Sequence, residues 1–212
     1  MDTINEIINF FKSYPSQKIN KGHILLRPGE IPHYAYYLLT GTVNLYDIAS
    51  SGNEIIVNTY RERDILPLTN VFDMSESHFF LEAETSLTTL VAPIEDLNHF
   101  IATNPKVSLH LLAKVLREND YLFRHLSHQM GGAAISQILF EIINNARKFG
   151  TRLPSGDTKL TLNESSLAKR VGLSRETVNR NLKELKQQGI VRSGSSGIIV
   201  TNLEHLDDQL VL

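Results

Sequence analysis

The residues with the clearest chemical signature lie on one face of a short segment near the C-terminus. They are Arg175, Glu176, Asn179 and Arg180. A guanidinium group can bond O6 and N7 of a guanine together, and a carboxylate can accept from the amino group of a cytosine. Apolar residues recur on the opposite face at spacings typical of an amphipathic helix. The pattern therefore predicts a helix that reads bases in the major groove of DNA, with Asn179 adjusting the preference.

The neighbouring residues predict a helix-turn-helix that positions this face. Asn163 is expected to cap the first helix, Gly172 to end it, and Ser174 to cap the second. Four polar residues are better placed for phosphate contacts, which orient a protein on DNA without specifying a sequence. They are Ser165, Lys169, Ser174 and Thr177. An ordinary helical hairpin with a solvated charged face is the alternative, and the combined order of caps, turn and arginine spacing disfavours it.

Flanking segments predict a winged version of this module. Gly131-Gly132 interrupts helical propensity and precedes an amphipathic helix over Ala133 to Lys148. Lys159 to Leu162 alternates like a short strand. Ser193 to Gly197 then precedes Ile198 to Thr201, which predicts the second strand of a hairpin wing.

A seam of seven residues between the two halves repeats at spacings of three and four. Its members are Leu109, Leu112, Leu116, Asn119, Phe123, Leu126 and Met130. This spacing is typical of a two-stranded coiled coil, so it predicts a dimerisation helix. A long helix packed on its own domain is the other interpretation, and Leu111, Val115 and Leu122 supply a second apolar flank for it. The amide of Asn119 would fix register and oligomer state in a paired seam.

The N-terminal half is rich in short β-type segments separated by turn residues. After a predicted amphipathic helix over Thr3 to Tyr14, these segments are His23 to Leu26, Ala35 to Leu39, Thr42 to Ile48, Glu54 to Tyr60, Phe79 to Ala83 and Thr88 to Ala92. Closely spaced strands of this kind indicate an antiparallel roll or barrel.

Several of these motifs together resemble the Crp/Fnr family of regulators, named for the cyclic-AMP receptor and the fumarate-nitrate regulator. The match includes Leu173 to Arg180, Pro28-Gly29-Glu30, Tyr36 to Gly41 and Ser51 to Glu54. The resemblance implies an α+β chain with three parts. These are an N-terminal antiparallel β-roll like a cyclic-nucleotide-binding jelly roll over residues 1–104, a dimerisation helix over 105–130, and a winged helix-turn-helix over 131–212.

The same resemblance implies a sequence-specific transcription regulator that acts as a homodimer on a palindromic operator. A TGTGA-like half-site is the first expectation, and RNA polymerase is an expected partner if the protein is an activator. In the family, this region of the long helix reaches the effector pocket, so Asn119 and Asp120 are effector candidates. His78, in the segment that corresponds to the phosphate-binding cassette, is a third.

The cassette segment departs from the pattern of nucleotide-binding relatives. No arginine lies between Asp64 and Lys106, and several acidic residues lie there instead. A cyclic phosphate would meet like charge, so we do not expect cyclic AMP to be the effector, whose identity stays open. The chain has no cysteine, which excludes a cysteine-ligated iron–sulfur cluster. His125 and His128 have a chelating spacing, but no carboxylate array accompanies them, so no metal or haem site is assigned.

Composition and charge agree with a regulator. Residues 1–130 hold 10 Lys and Arg against 15 Asp and Glu, a net charge of −5, whereas residues 131–212 hold 11 against 8, or +3. The C-terminal part therefore suits a polyanion. Neither a membrane span nor a signal peptide is indicated, so we expect a cytoplasmic protein.

The alternative is a small-molecule-binding or enzymatic β-barrel with an incidental helical C-terminal domain. A catalytic barrel would present inward histidines and carboxylates, whereas these strands carry mainly Tyr, Leu, Val and Ile. The chain also lacks a Gly-x-Ser-x-Gly elbow. We therefore predict no enzymatic activity.

Overall fold

The computed structural model describes residues 3–72, 74–194, 197–201 and 203–206. The chain divides into two compact units, residues 1–117 and 118–212. A long helix contributes its first half to one unit and its second half to the other. Ser195 and Ser196 of the predicted wing, and residues 207–212 of the predicted DNA-binding domain, lie outside the described residues.

In the residues that the structure describes, the first unit has one helix, then eight strands with a second helix inserted between the sixth and the seventh, and then a third helix. The elements are α1 (Thr3–Phe11), β1 (Ser16–Ile19), β2 (Ile24–Leu26), β3 (Tyr34–Thr40), β4 (Val43–Ile48), β5 (Glu54–Tyr60), β6 (Ile65–Leu66), α2 (Leu68–Val71), β7 (Phe80–Ala83), β8 (Leu87–Pro93) and α3 (Ile94–Thr103). Helix α1 is shorter than predicted. The N–H groups of Ser13 and Tyr14 donate to the carbonyls of Phe10 and Phe11, three residues earlier, so the α-helical pattern ends there. Pro15 follows and disfavours helical backbone at Tyr14.

The strands form two four-stranded sheets with antiparallel pairing throughout. One sheet has the order β1-β8-β3-β6 and the other the order β2-β7-β4-β5. This is the predicted β-roll. Gly41 makes the turn between β3 and β4 at φ 91°, where a Cβ atom would collide with the backbone of Ser86.

A buried cluster that includes Leu38 and Leu81 fills the space between the two sheets, and another lies between the roll and its helices. The ring centroids of Phe11 in α1 and Tyr37 in β3 are 5.2 Å apart, and both side chains are buried. The long helix α4 (Pro105–Gly131) adds Val107 and Leu111 to this core through its first half. The predicted inner flank of α4 therefore packs inside its own unit at Leu111.

The second unit contains the rest of α4 and a small α+β module. Its elements are α5 (Ala134–Phe149), β9 (Thr151–Arg152), β10 (Thr158–Leu160), α6 (Glu164–Val171), α7 (Arg175–Gln187), β11 (Val191–Gly194), β12 (Gly197–Val200) and α8 (Leu203–Leu206). The four strands form an antiparallel sheet in the order β11-β12-β10-β9. Its core packs Leu160 and Val200 of this sheet against Ile142 of α5, Leu167 of α6 and Val178 of α7.

Candidate DNA-binding surface

Side-chain capping by Asn163 and the turn at Gly172 determine where helix α6 begins and ends. The side-chain oxygen of Asn163 accepts a hydrogen bond from the backbone N–H of Ser166 at 2.8 Å, which satisfies one of the donors that the first turn leaves open. Gly172 ends the helix in the left-handed conformation at φ 67°, and its N–H donates to the carbonyl of Ala168. The chain therefore turns sharply into α7.

Helix α7 is fixed by a cap at its start and by a buried stripe along its length. The hydroxyl of Ser174 accepts from the N–H of Thr177 at 3.1 Å. The inner stripe, each member at most 1 % exposed, consists of Val178, Leu182 and Leu185. Asn181 is also buried, and its amide donates to the carbonyl of Thr177 at 2.8 Å. This packing forces the opposite face of α7 outward.

The four predicted base-reading residues lie on that outward face. Arg175, Glu176 and Arg180 are exposed and Asn179 is half-buried. Arg175 and Arg180 are five positions apart, or about 7.5 Å along the helix axis, so they can reach different base pairs. The Nε atom of Arg175 lies 3.9 Å from a carboxylate oxygen of Glu164 in α6. Because the Arg175 side chain is 73 % exposed, this pair is weak and leaves the guanidinium available.

The four predicted phosphate-contacting residues border the same surface. Ser165 and Lys169 are exposed on α6. Ser174 and Thr177 lie at the start of α7, and their hydroxyl oxygens are 2.9 Å apart, so they hold the cap together as well as facing solvent. All four side chains could approach a DNA backbone that follows the start of α7.

A cavity of about 450 Å³ opens between the start of α6, the side of α7 and the β11–β12 hairpin. Ser165 and Arg175 line it, together with Lys186 from the last turn of α7. Lys186 was not predicted as a contact residue. Its spacing of three from Lys183 was visible in the sequence, but only the fold brings Lys186 beside the wing.

The hairpin wing is held against the module by backbone pairing and an ion pair. Within the wing, β11 pairs with β12 in antiparallel register, and β12 also pairs with β10 of the module. Arg192 in β11 bonds a carboxylate oxygen of Asp157, and this bond lowers the pKa of the Asp157 carboxyl. The structure therefore contains the predicted wing in the residues that it describes.

The predicted seam forms an exposed apolar stripe along α4. Its six apolar members are between 52 % and 87 % exposed in the single chain, and Asn119 within the stripe is also exposed. Val107 and Leu111, on the other side of the same helix, are buried. A soluble helix rarely exposes such a stripe to water, so the stripe marks an interaction surface.

The predicted effector residues are all exposed and belong to different units. His78 precedes β7 in the first unit, whereas Asn119 and Asp120 lie on α4 in the second. Hydrogen bonds within the chain hold the segment before His78 in place. Asn70 in α2 donates to the carbonyl of Ser75 at 3.1 Å, and backbone bonds join Ser77 to Gly29 and Glu30.

A cavity of about 540 Å³ in the first unit borders this segment. Its wall includes the carboxylates of Glu30 and Glu76 and the rings of Tyr34 and Tyr36, and none of the described residues that line it is a lysine or arginine. Among the residues that the structure describes, no three His, Asp or Glu side chains converge as metal ligands. Within the same residues, no helix has the length and apolar character needed to span a bilayer.

The fold and this surface define a DNA-binding protein in which a β-roll, a long helix and a winged helix-turn-helix follow one another. Residues 135–209 match the model of the Crp-like helix-turn-helix domain, and residues 16–104 match that of the cyclic nucleotide-binding domain. The chain belongs to the Crp/Fnr family of transcription regulators. The family assignment from the sequence is confirmed.

Relatives and solved structures agree over nearly the whole chain. The global nitrogen regulator of Synechocystis sp. is 26 % identical over 199 residues, covering 91 % of this chain and 87 % of that protein. The CRP-like cAMP-activated global transcriptional regulator of Mycobacterium tuberculosis is 23 % identical over 188 residues, covering 88 % and 84 %.

Two solved structures share the fold. A CooA variant from Carboxydothermus hydrogenoformans has a TM-score of 0.81 at 20 % identity, covering 99 % of this chain and 97 % of that one. FixK2 from Bradyrhizobium japonicum has a TM-score of 0.76 at 20 % identity, covering 92 % and 96 %. The protein is therefore a DNA-binding regulator of a family that acts as dimers, and the alternative of an enzymatic barrel is not favoured.

Proposed function

We propose that the protein regulates transcription as a homodimer that places two α7 helices in successive major grooves of an imperfect palindrome. The observation that carries this proposal is the pairing of an outward polar face on α7 with an exposed apolar stripe on α4. One surface can read a half-site, and the other can join two copies so that two half-sites are read together.

Each side chain has a distinct role in this proposal. Arg175, Glu176 and Arg180 read bases in a TGTGA-like half-site, and Asn179 adjusts the preference at one position. The phosphate contacts come from Ser165, Lys169, Ser174 and Thr177. Lys186, which the structure places beside the wing, is a further candidate for such a contact. The local charge is modest, with 7 basic against 3 acidic residues from Asn163 to Gly197. Such a module needs two copies for a stable complex.

The effector that the β-roll binds is a separate part of the proposal. Among the described residues, two glutamates but no lysine or arginine line the cavity beside the cassette segment, which disfavours an anionic cyclic phosphate. We therefore propose an effector other than cyclic AMP, with His78, Asn119 and Asp120 as candidate contacts. In the cytoplasm, an activating role would add RNA polymerase as a partner.

Selection from a random duplex library tests the proposed function. Purified protein should enrich inverted repeats whose half-sites lie about one helical turn apart, while sedimentation velocity reports a dimer at the same concentration. Enrichment of single, unpaired half-sites by a monomer would contradict the proposal. Binding to all duplexes with equal affinity would contradict it as well.

A further inference from the structure

A buried carboxylate connects three helices of the second unit. Glu141 in α5 is 2 % exposed, and it lies on the inner face of α5 among apolar residues. Burying a carboxylate costs several kcal/mol unless hydrogen bonds and opposite charge compensate it. Its partners therefore determine how the surrounding helices can be arranged.

The partners of Glu141 come from α4, α5 and α6. Tyr121 in α4 donates its hydroxyl to Oε2 at 3.0 Å, and Asn145 in α5 donates its amide to Oε1 at 2.6 Å. A guanidinium nitrogen of Arg170 in α6 lies 3.7 Å from Oε1, and that side chain is only 11 % exposed. One carboxylate thus accepts from, or pairs with, side chains of three elements.

The Tyr121 hydroxyl stays protonated at every ordinary pH, so it remains a hydrogen-bond donor to Glu141. Burial, and then the neighbouring Glu141 carboxylate, raise the pKa of the Tyr121 phenol far above its usual value of 10.0. One contact beside it is apolar and less directional, since the Tyr121 and Phe140 rings stack with centroids 5.9 Å apart. A longer polar contact joins α4 and α6, because the Gln129 amide donates to the carbonyl of Val171 at 3.4 Å. Stacked faces can slide over one another at small cost, whereas a buried hydrogen bond to a charged group cannot lengthen without loss.

The position of these partners along the chain gives the link a mechanical role. Tyr121 is a half-buried residue of α4 between Asn119 and Phe123 of the exposed stripe. Arg170 lies in the last turn of α6, two residues before the turn at Gly172 that leads to α7. Any rotation of the helix-turn-helix about α4 would separate Glu141 from Tyr121 or from Arg170.

We propose that Glu141 is a positioning residue that sets the angle between the dimerisation helix and the reading helix. Through that angle it fixes the half-site spacing that the dimer accepts. The inference rests on the proposed function, because spacing has meaning only for two half-sites bound together. Half-sites must lie about 34–36 Å apart, and each added base pair both moves and rotates a half-site on the duplex.

The test measures affinity for operators whose half-site separation is changed by one or two base pairs in either direction. Tyr121→Phe removes one bond to Glu141, and Glu141→Gln removes its charge. The roll offers a matched control, because Tyr46 donates its hydroxyl to Glu82 at 3.1 Å in the first unit. Tyr46→Phe and Glu82→Gln remove the same kind of bond there.

The wild type and both control variants should bind the preferred spacing about tenfold more tightly than its neighbours. Tyr121→Phe and Glu141→Gln should reduce that preference to about twofold while they retain binding to the best operator. Tyr121→Phe is the milder change, so it carries the test if Glu141→Gln does not fold.

A lost bond that only lowered thermal stability would leave the ratio between spacings unchanged. An unchanged ratio in the folded Tyr121→Phe variant therefore overturns this proposal and leaves the proposed function intact. A wild-type protein that binds no paired half-sites overturns both.

Discussion

The hydroxyl of Ser174 accepts a hydrogen bond from the backbone N–H of Thr177, so the first turn of α7 is closed by an exposed residue that we also propose to contact phosphate. The capping role and the phosphate-contacting role can be separated. A cap needs only a side-chain acceptor, whereas a phosphate contact needs a side chain that carries no negative charge and can donate a hydrogen bond.

Two substitutions of Ser174 should separate stability from DNA affinity. Ser174→Ala removes the acceptor, so we expect the free energy of unfolding to fall by about 0.5–2 kcal/mol. Ser174→Asp keeps an acceptor and should preserve stability, but its charge should weaken DNA binding by repulsion from phosphate. Denaturant titration and a gel shift on the same preparations measure both quantities. Full DNA affinity in Ser174→Asp would exclude a phosphate near this residue.

Arg180 should carry sequence information rather than general affinity. It is exposed on the outward face of α7, where a guanidinium can make a bidentate bond to guanine. Arg180→Ala should cost about 1–3 kcal/mol at the selected operator and relax the preference at one base position. Lys183→Ala, one turn further along α7, is the matched control and should leave the selected sequence unchanged. If library selection returns the wild-type sequence with Arg180→Ala, Arg180 does not read a base.

Leu116 should be essential for dimerisation. It is 58 % exposed in the single chain and lies in the middle of the stripe on α4. Leu116→Asp would bury charge between two helices, so sedimentation velocity should report monomers and binding to paired half-sites should be lost. Arg117→Asp introduces the same side chain one position outside the stripe, and this variant should remain dimeric. Dimers of Leu116→Asp would show that a different surface joins the two copies.

The parts of the fold that local sequence chemistry controls were predictable. Asn163, Gly172 and Ser174 act within three or four residues of themselves, and their predicted caps and turn are present in the structure. The alternation of β3, β4 and β5 likewise identified strands of the roll. These predictions needed no knowledge of distant partners.

The parts that depend on distant pairing were missed. Strand β1 (Ser16–Ile19) is mostly polar, and it is a strand because it pairs with β8, about seventy residues later. Strand β6 and helix α2 are too short to show a period. Glu141 was visible as a charge on the inner face of an amphipathic helix, but its partners Tyr121 and Arg170 lie on other helices. Sequence spacing alone could not identify them.

Cyclic AMP should not bind the roll. The cavity beside the cassette segment presents Glu30 and Glu76, and no lysine or arginine of the described part of the chain lines it. We expect millimolar cyclic AMP to leave the melting temperature unchanged, whereas a ligand at a hundred times its Kd would add about 2.7 kcal/mol of stability. A melt with the selected operator duplex is the control, because it should raise the melting temperature of the same sample. A saturable rise in melting temperature with cyclic AMP would overturn the exclusion of cyclic AMP as the effector.

The stability of the second unit should fall in acid because of His125. Burial lowers the pKa of His125 below its usual 6.5, the Glu141 carboxylate opposes that shift, and His128 adds to it. The folded protein therefore resists a proton that the unfolded chain accepts. Stability from this residue is complete above pH 6.5 and is lost as the pH falls through 6.5 toward the lower pKa of the folded state.

A neutral replacement should remove this part of the pH dependence. His125→Gln cannot be protonated, and its amide can still face Gln129, whose side-chain nitrogen lies 3.0 Å from the ring of His125. Between about pH 7.5 and 5.5, denaturant titration should show a smaller loss of unfolding free energy in His125→Gln than in the wild type. His99→Gln, at an exposed position of the first unit, should follow the wild type. If His125→Gln loses as much stability in acid as the wild type, proton uptake at His125 does not oppose folding.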